Sequence, residues 1–324
     1  MNNTVNVYDT PTKTDSWVLY TLWLLSIIVV GLLGNCIILV ASVGFKAIRI
    51  DKVSAILIRH IAAADVLHIT LVVIPAAISS ISRKWVLGAT FCQIQTYLIP
   101  IFFSTSIFLL CGLNINKLVC LSTPLRSRSR SSRTGCKIGA ALWLYVIIPV
   151  MMVHLFAFAL NKKWEYRYSG TVFHCTGTYL DSGNFYEILT TVSLLVPCVV
   201  ILVTTISLFC LVHKVRGVQK QSVQTLVLVS TIFIISFFPF GVATAMVATR
   251  HPFESFGINF ILYLRITTVL GNLNTGVNVV IYYFTINSFS EFVRNRLGRN
   301  LRKLFTERNK IQDASNPSKS FGTG

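Results

Sequence analysis

The segment WVLYTLWLLSIIVVGLLGNCIILVASVG, residues 17–44, decides the fold of this chain. It carries no charged residue and exceeds the roughly 20 apolar residues with which a helix crosses the hydrocarbon core of a membrane. Inside lipid the backbone must satisfy its own hydrogen bonds, so such a segment forms a helix. Further apolar segments of this kind follow at residues 53–81, 89–121, 137–160, 183–213, 221–249 and 256–285. The sequence therefore predicts an all-α membrane protein with a seven-transmembrane helix bundle.

The segments that flank this bundle, residues 17–285, are polar or amphipathic. Residues 1–16 contain neither an apolar core nor a small-residue cleavage site, so we expect an extracellular N-terminus without a removable signal peptide. Residues 286–305 place phenylalanines and leucines among arginines and predict a short amphipathic helix on the membrane surface. Residues 306–324 are polar and predict a disordered cytoplasmic tail.

The charge of the chain is concentrated in its loops. A formal charge of +18 accompanies 53% hydrophobic and only 12% charged residues, whereas soluble domains carry about 25% charged residues. Nucleic-acid binding is excluded, because the lysines and arginines lie between long apolar segments that leave no room for a folded basic domain. With the N-terminus outside, most of these cations fall on the cytoplasmic side, as the positive-inside rule requires. A glycosylation sequon at Asn2 agrees with this orientation.

A few polar residues stand inside the predicted spans, where they are expensive and therefore suggest function. Asp65 is an acid deep in the second span, and Ser106 lies in the middle of the third. Asn274 and Asn278 are one helical turn apart and share a face of the seventh. At matching depth these side chains predict an oxygen-rich site for a monovalent cation, Na⁺ at Asp65. The alternative is that they only hydrogen-bond the helices together.

A larger set of residues occurs in the order and at the depths at which one receptor family carries its motifs. The set comprises Gly34-Asn35, Asp65, Trp85, Gly88, Cys92, Trp143, Pro197, Phe233, Pro239 and Asn278 to Tyr282. In these positions the chain resembles the rhodopsin-like (class A) G-protein-coupled receptors over residues 17–305. The whole set is specific, although any one member alone would be weak.

The resemblance implies roles for several residues. It makes Asp65, Ser106, Asn274 and Asn278 an allosteric sodium pocket. It also implies a disulfide between Cys92 and Cys175, which would pin the second outer loop to the third helix in an oxidising environment. The expected partners are an extracellular ligand, a heterotrimeric G protein, arrestin, receptor kinases and membrane lipid, at the plasma membrane. No cofactor other than the ion is implied, and the chain is not expected to be an enzyme.

Several positions depart from the family pattern at the residues expected to control activation. Asn116-Lys117-Leu118 stands in place of Asp-Arg-Tyr, so the cation has lost its planar fork and the acid that restrains it. The seventh-helix proline is replaced by Val279. The residues assigned to the activation switch are Asn116, Lys117, Leu118, Phe233, Phe237, Pro239, Asn278 and Tyr282. We expect weakened resting restraints and raised basal signalling, with poor coupling to G proteins as the rival interpretation.

Two ligand classes are excluded by single residues. The third-helix aspartate that binds amines in this family is here Ile99. The seventh-helix lysine that binds retinal is here Asn272. A salt bridge to an amine and a Schiff base with retinal are therefore both ruled out.

The predicted ligand pocket combines an apolar floor with a few polar groups. Arg265 near the outer end of the seventh helix would give the pocket a cationic mouth, suited to a peptide or a carboxylate-bearing lipid. Alternatively, Arg265 pairs with Glu254 or Glu187, or extends to water. The pocket residues are Ile99, Phe103, Phe237, Phe240, Thr244, Arg265, Thr268 and Asn272.

Two functions compete with signalling through G proteins. One is an atypical ligand-binding or chemosensory receptor that couples poorly, which Asn116-Lys117-Leu118 favours. The other is a transporter or channel, which would need a continuous polar path. Asp65 is the one acid inside the predicted spans, and this argues against such a path.

Overall fold

A computed structural model describes residues 16–43, 51–124, 130–159, 164–179, 185–248, 260–285 and 289–295. Seven long helices stand within these ranges, and their bounds agree with the predicted spans to within a few residues. They are α1 (Ser16–Val43), α2 (Lys52–Ser82), α3 (Ala89–Ser122), α4 (Ser132–Ala159), α5 (Phe185–Leu211), α6 (Gly217–Ala248) and α7 (Phe260–Thr285). The prediction of an all-α seven-helix bundle is confirmed.

Six of the seven helices, α1 to α6, are long and apolar enough to cross a membrane by length and composition, as far as the described residues were compared. The seventh, α7, is 26 residues long but carries Arg265, Asn272, Asn274 and Asn278. These polar side chains lower its hydropathy. Their burial inside the bundle, described below, explains why a membrane helix tolerates them.

The second helix contains a wide turn. Its α-helical part Lys52–His68 passes into a π-helical turn, Ile69–Val73, before the helix resumes at Ile74–Ser82. Pro75 follows this turn directly. A proline has no N–H and its ring collides with the carbonyl four residues earlier, so a locally widened helix relieves the clash.

Helices α1 and α7 approach each other closely. A Cβ added to Gly34 would overlap the side chain of Val279, so only glycine fits here. The side-chain amide of Asn35 donates to the carbonyl oxygen of Thr275 at 2.7 Å and to that of Gly31 at 2.9 Å. The Gly34-Asn35 motif therefore serves the packing of the first helix on the seventh.

The connection between α4 and α5 contains an antiparallel hairpin of two strands, β1 (Trp164–Ser169) and β2 (His174–Tyr179). Its register pairs Tyr168 with Cys175 and Ser169 with His174. The turn closes through a hydrogen bond of 2.8 Å from the N–H of Phe173 to the carbonyl oxygen of Ser169. The sequence patterns did not predict this hairpin.

Beyond α7, residues 289–295 are helical, within the predicted amphipathic helix 286–305. Phe289 is only 1% exposed and belongs to the main core, while Phe292 packs against that core. This segment is thus attached to the bundle by its aromatic side chains. The rest of the predicted amphipathic helix, the N-terminus with Asn2, and the tail 306–324 lie outside the described residues.

Candidate functional site

One end of the bundle, called here the disulfide end, is fixed by a covalent bond. Cys175 of β2 is joined to Cys92 in the first turn of α3, with their Cα atoms 5.4 Å apart. The backbone N–H of Cys175 also donates to Oε1 of Gln95 at 2.9 Å. The predicted disulfide is confirmed, and it anchors the hairpin on α3.

An aromatic cluster lies below the hairpin, toward the middle of the bundle. Phe103 of α3 stacks on Phe240 of α6 with ring centroids 5.5 Å apart and contacts Phe237 at 5.6 Å. Phe233 stacks under Phe237 at 5.1 Å. The structure thus brings the predicted pocket floor together with the predicted activation switch. Ile99 packs nearby against Trp143 and Phe102, and the side chain of Thr244 lies outside the described residues.

Asn272 is part of a polar pair that spans the bundle. Its Oδ1 lies 2.9 Å from Nε2 of His68 in α2, and its Nδ2 donates to the carbonyl oxygen of Thr268. The His68 ring packs edge-on against Phe103 at 4.9 Å. His68 is 2% exposed, and no hydrogen-bond partner is found for its Nδ1 among the described residues. The pocket floor is therefore less apolar than predicted.

Arg265 lies against the hairpin. Its side chain is 7% exposed, and its Nε donates to the carbonyl oxygen of Thr171 at 2.9 Å. Its guanidinium also lies 5.5 Å from the ring of Phe173. The predicted cationic mouth is thus covered by the second connecting loop. Glu254 and the side chain of Glu187, its alternative partners, lie outside the described residues.

Asp65 is 2% exposed and lies in the middle of the bundle. Ser106 Oγ donates to its Oδ1 at 3.3 Å, and Asn278 Nδ2 donates to its Oδ2 at 3.4 Å. Asn274 lines the same cavity, but its Oδ1 accepts from Ser236 Oγ at 3.0 Å instead. The structure brings the four predicted residues together, although only two of them contact the carboxylate.

A cavity connects the carboxylate with the aromatic cluster. It leaves about 30 Å³ for the centres of water-sized spheres, which is enough for a water molecule or two, or a small ion. Its lining runs from Phe103 and Phe237 to Asp65, Asn278 and Tyr282. The residues fit Na⁺ in part. Asp65 and Ser106 offer hard oxygen ligands, whereas Asn278 presents its amide nitrogen and would have to turn its amide over to contribute an oxygen.

A second polar cluster ties α3 to α5 and α6. Asn114 is fully buried, and its Nδ2 lies 3.1 Å from Ser230 Oγ and 3.2 Å from Thr204 Oγ1. Ser230 Oγ in turn lies 3.2 Å from Asn114 Oδ1, and Thr205 Oγ1 is within 3.5 Å of Nδ2. We call Asn114, Thr204, Thr205 and Ser230 the Asn114 cluster.

At the end of the bundle opposite the disulfide, called here the Lys117 end, Asn116 connects three segments. Its Nδ2 donates to Asp51 Oδ1 and to Ser54 Oγ, both at 3.0 Å, and its Oδ1 accepts from Arg130 Nη1 at 3.0 Å. Asp51 is the N-cap of α2 and also accepts from the N–H of Ser54. Asn116 therefore holds α3 to the start of α2 and to Arg130, just before α4.

Lys117 faces the other way, toward α6. It is 6% exposed and lines a small cavity with Ser222, Thr225, Leu226 and Tyr282. The other side chains lining this cavity, taken from the described residues, are neutral. Leu118 is partly buried against the main core. The cation that takes the place of the family arginine thus meets hydroxyl groups of α6, as the loss of an acid there predicted.

Several of these residues escaped prediction from the sequence. They are Tyr20, Asp51, Gln95, His68, Asn114 and Arg130. The same rule that singled out Asp65, a polar side chain inside a span, would have found His68 and Asn114. Asp51 and Arg130 act from the ends of loops, where charged residues are common and carry no such signal.

Two titratable groups of the hairpin are perturbed by burial. Desolvation lowers the pKa of His174 to about 4, against a smaller opposing effect of the hydrogen bond to the carbonyl oxygen of Val172. Desolvation also raises the pKa of Tyr168 to about 12. Both shifts favour the neutral forms, so the hairpin settles on the bundle without introducing charge.

Comparisons with known proteins agree with this architecture. The model of the family "7 transmembrane receptor (rhodopsin family)" matches residues 34–282. Among similar proteins, the type 1 purinoceptor of Mus musculus is 24% identical over 298 residues, covering 86% of this chain and 75% of that receptor. C-C chemokine receptor type 8 of Mus musculus is 22% identical over 292 residues, covering 86% and 78%. Lysophosphatidic acid receptor 4 of Homo sapiens is 23% identical over 280 residues, covering 82% and 74%. With the family match spanning most of the chain and all seven helices in place, this chain belongs to the rhodopsin family of seven-transmembrane receptors and is a G-protein-coupled receptor, not an enzyme.

Proposed function

We propose that this receptor lies in the plasma membrane with its disulfide end outside, binds an extracellular ligand there, and activates a heterotrimeric G protein at its Lys117 end. The cavity that runs from Phe103 and Phe237 to Asp65 and Tyr282 carries this proposal. It places the ligand-pocket floor and the activation switch on one continuous surface, so a ligand that moves Phe237 also moves the residues around Asp65.

The orientation has its own test. A glycan at Asn2 would place the N-terminus outside. Loss of a glycosidase-sensitive gel shift in Asn2→Gln supports this orientation. Accessibility of the 125–130 connection to a protease added outside intact cells would contradict it.

The ligand we propose is a peptide or a small or lipid molecule that carries a carboxylate or phosphate. Arg265 supplies the cation, and the stacked phenylalanines supply an apolar surface. The names of the similar receptors, which refer to purines, a chemokine and lysophosphatidic acid, are compatible with such a range. A screen in cells that express promiscuous G proteins tests this, with amines as the class expected to fail.

We further propose that the receptor signals without ligand. Asn116 is engaged by Asp51 and Arg130, and Lys117 meets only neutral side chains in its cavity, which leaves α6 without a charged partner among the described residues there. Opening of α6 would then break no ion pair at this end. The rival is a receptor that binds ligand but couples poorly.

The test is ligand-free second-messenger output in cells that express wild type, Asn116→Asp/Lys117→Arg, or no receptor. Restoring the acid and the planar guanidinium should lower the basal output severalfold at equal surface expression. Wild-type output no higher than that of cells without receptor would favour poor coupling, and recruitment of arrestin but not G protein by an identified agonist would establish it.

An allosteric Na⁺ at Asp65 is also proposed. Asp65 and Ser106 would hold the ion, with Asn274 and Asn278 beside it. A monovalent cation suits a site with a single carboxylate among neutral oxygens.

A further inference from the structure

The turn of the hairpin, residues 171–173, is buried inside the receptor. Thr171, Val172 and Phe173 are 5%, 8% and 5% exposed, although the turn of a surface hairpin normally faces solvent. We call these three residues the hairpin tip. It lies between α1 and α7, at the end of the bundle where the ligand is proposed to enter.

Two side chains hold the tip by its backbone. The Tyr20 hydroxyl of α1 donates to the carbonyl oxygen of Val172 at 3.0 Å, and Arg265 Nε of α7 donates to the carbonyl oxygen of Thr171 at 2.9 Å. Two donors from different helices thus bind two oxygens that belong to consecutive residues.

Phe173 completes the insertion. Its ring lies 5.5 Å from that of Tyr20 and joins a core cluster with Leu24, Ile69 and Val73. Its backbone has φ of 57°, and an L-residue in this left-handed region costs roughly 1–2 kcal/mol. Such a conformation persists only when the surroundings impose it, so packing against α1, α2 and α7 holds the tip in place.

The stem of the hairpin stays fixed while the tip is held by noncovalent contacts alone. The disulfide at Cys175 begins two residues after Phe173, and Gln95 binds the same strand. The tip would therefore leave its site without any covalent bond being broken, and it would remain tethered beside it.

We propose that the hairpin tip is a built-in plug in an anion-binding subsite formed by the Tyr20 hydroxyl and the Arg265 guanidinium. The ligand of the receptor displaces the tip with a carboxylate or phosphate group, whose two oxygens take the places of the Thr171 and Val172 carbonyl oxygens. A charged acceptor binds a guanidinium about twice as strongly as a neutral one, and this difference drives the exchange. The site vacated by Phe173 receives an apolar part of the ligand.

This inference rests on the proposed function, because it assumes that the ligand binds at the disulfide end. It adds a competitor that belongs to the receptor itself. The apparent affinity of the ligand is then lowered by the small fraction of receptors whose tip is out.

The test measures the exposure of the tip directly. Val172→Cys is labelled on intact cells with a membrane-impermeant maleimide, with wild type as the background for its native cysteines. Val86→Cys is the matched control, since Val86 is 46% exposed in the connection that precedes α3. We expect Val172→Cys to react at least tenfold more slowly than Val86→Cys. Equal rates would overturn the plug.

Two further arms test the subsite. Tyr20→Phe and Arg265→Gln should each accelerate labelling of Val172→Cys severalfold. Arg83→Gln removes a cation that stacks on Trp17 at 4.1 Å and should leave the rate unchanged. Oleoyl lysophosphatidic acid, oleic acid and inorganic phosphate then distinguish a phosphate lipid, a carboxylate lipid and the free anion, with monooleoylglycerol as the uncharged control.

At least one anionic probe should accelerate labelling, and Arg265→Gln should abolish its effect. If no anionic probe accelerates labelling, or if monooleoylglycerol does so equally, the anion subsite is wrong. Labelling needs no G protein, so a receptor that fails to couple still reports on the tip. Conversely, a receptor that signals with a freely labelled tip refutes this inference alone.

Discussion

The disulfide end and the Lys117 end of this receptor are restrained by different means. At the disulfide end a covalent bond, Gln95, Tyr20 and Arg265 hold the hairpin against α1, α3 and α7. At the Lys117 end Asn116 holds α3 to α2 and Arg130, and Lys117 meets neutral side chains of α6. The described contacts that restrain α6 against α3 lie deeper, in the Asn114 cluster.

The difference indicates how a receptor of this family can lose its charged motif and keep its fold. Asp51 supplies an acid and Arg130 a guanidinium next to Asn116, so the two charge types persist at this end but act from α2 and from the residues before α4. The restraint on α6 becomes a set of neutral hydrogen bonds inside the bundle, which is weaker and does not depend on salt.

Removing the disulfide should have the largest effect on this comparison. The bond closes a loop with a sequence separation of 83 residues, for which the chain-entropy model gives about 4–5 kcal/mol. Cys175→Ser should abolish surface delivery, measured by antibody binding to an N-terminal tag on unpermeabilised cells. Cys36→Ser, at an exposed free cysteine, is the control and should leave delivery unchanged. Normal delivery and ligand binding of Cys175→Ser would show that the hairpin needs no covalent anchor.

Acid should weaken the disulfide end next. His174 has a pKa of about 4 in the folded receptor and about 6.5 when unfolded. Between these values the unfolded chain binds the additional proton, so stability present above pH 6.5 is lost as the pH falls toward 4. Because His174 is only partly buried, we expect a loss of about 1–2 kcal/mol. Thermal melting of the purified receptor at pH 7 and pH 5 measures it.

His174→Gln should flatten this pH dependence, whereas His213→Gln at the Lys117 end should retain it. A melting temperature of His174→Gln that falls with acid as steeply as that of wild type would assign the effect to another group.

Loss of the Asn114 cluster should release α6. Asn114→Leu removes hydrogen bonds to both α5 and α6, and each such bond in a membrane protein contributes about 0.6 kcal/mol on average. A total of about 1 kcal/mol corresponds to a roughly fivefold higher basal output. Thr231→Val is the control, because the Thr231 hydroxyl is exposed and bonds only its own helix. Unchanged or lower output of Asn114→Leu at equal expression would remove this cluster from the account.

Sodium should have the smallest effect, because its site lies between the two ends. If Na⁺ binds with millimolar affinity, 150 mM NaCl should stabilise the receptor by about 0.5–1 kcal/mol relative to choline chloride. Asp65→Asn should abolish the difference in melting temperature. A variant that keeps the full sodium effect would show that the ion binds elsewhere.

The sequence was sufficient for the spans, the family and the residues around Asp65. Long apolar segments have one physical solution in lipid, and an acid such as Asp65 inside them is conspicuous. The same reasoning located Cys92 and Cys175 through the resemblance. These features depend on local composition and on spacing along single helices.

The contacts of the hairpin and of Asn116 were beyond such reasoning. The insertion of Phe173 between α1 and α7 depends on how a connecting loop folds back across the bundle, which no periodicity encodes. Arg265 was predicted to face a ligand, but it binds the carbonyl oxygen of Thr171, a backbone atom present at every residue. Asp51 pairs with Asn116 across 65 residues of sequence, and nothing local marks the two as partners.

The most direct test of this account is nucleotide exchange on purified G protein. The receptor is reconstituted without ligand in lipid nanodiscs, and binding of a nonhydrolysable GTP analogue is followed for each of the main G-protein classes. The account predicts exchange severalfold above that of empty nanodiscs for at least one class, and a reduction with Asn116→Asp/Lys117→Arg. Exchange equal to that of empty nanodiscs for every class, with both proteins, would contradict it.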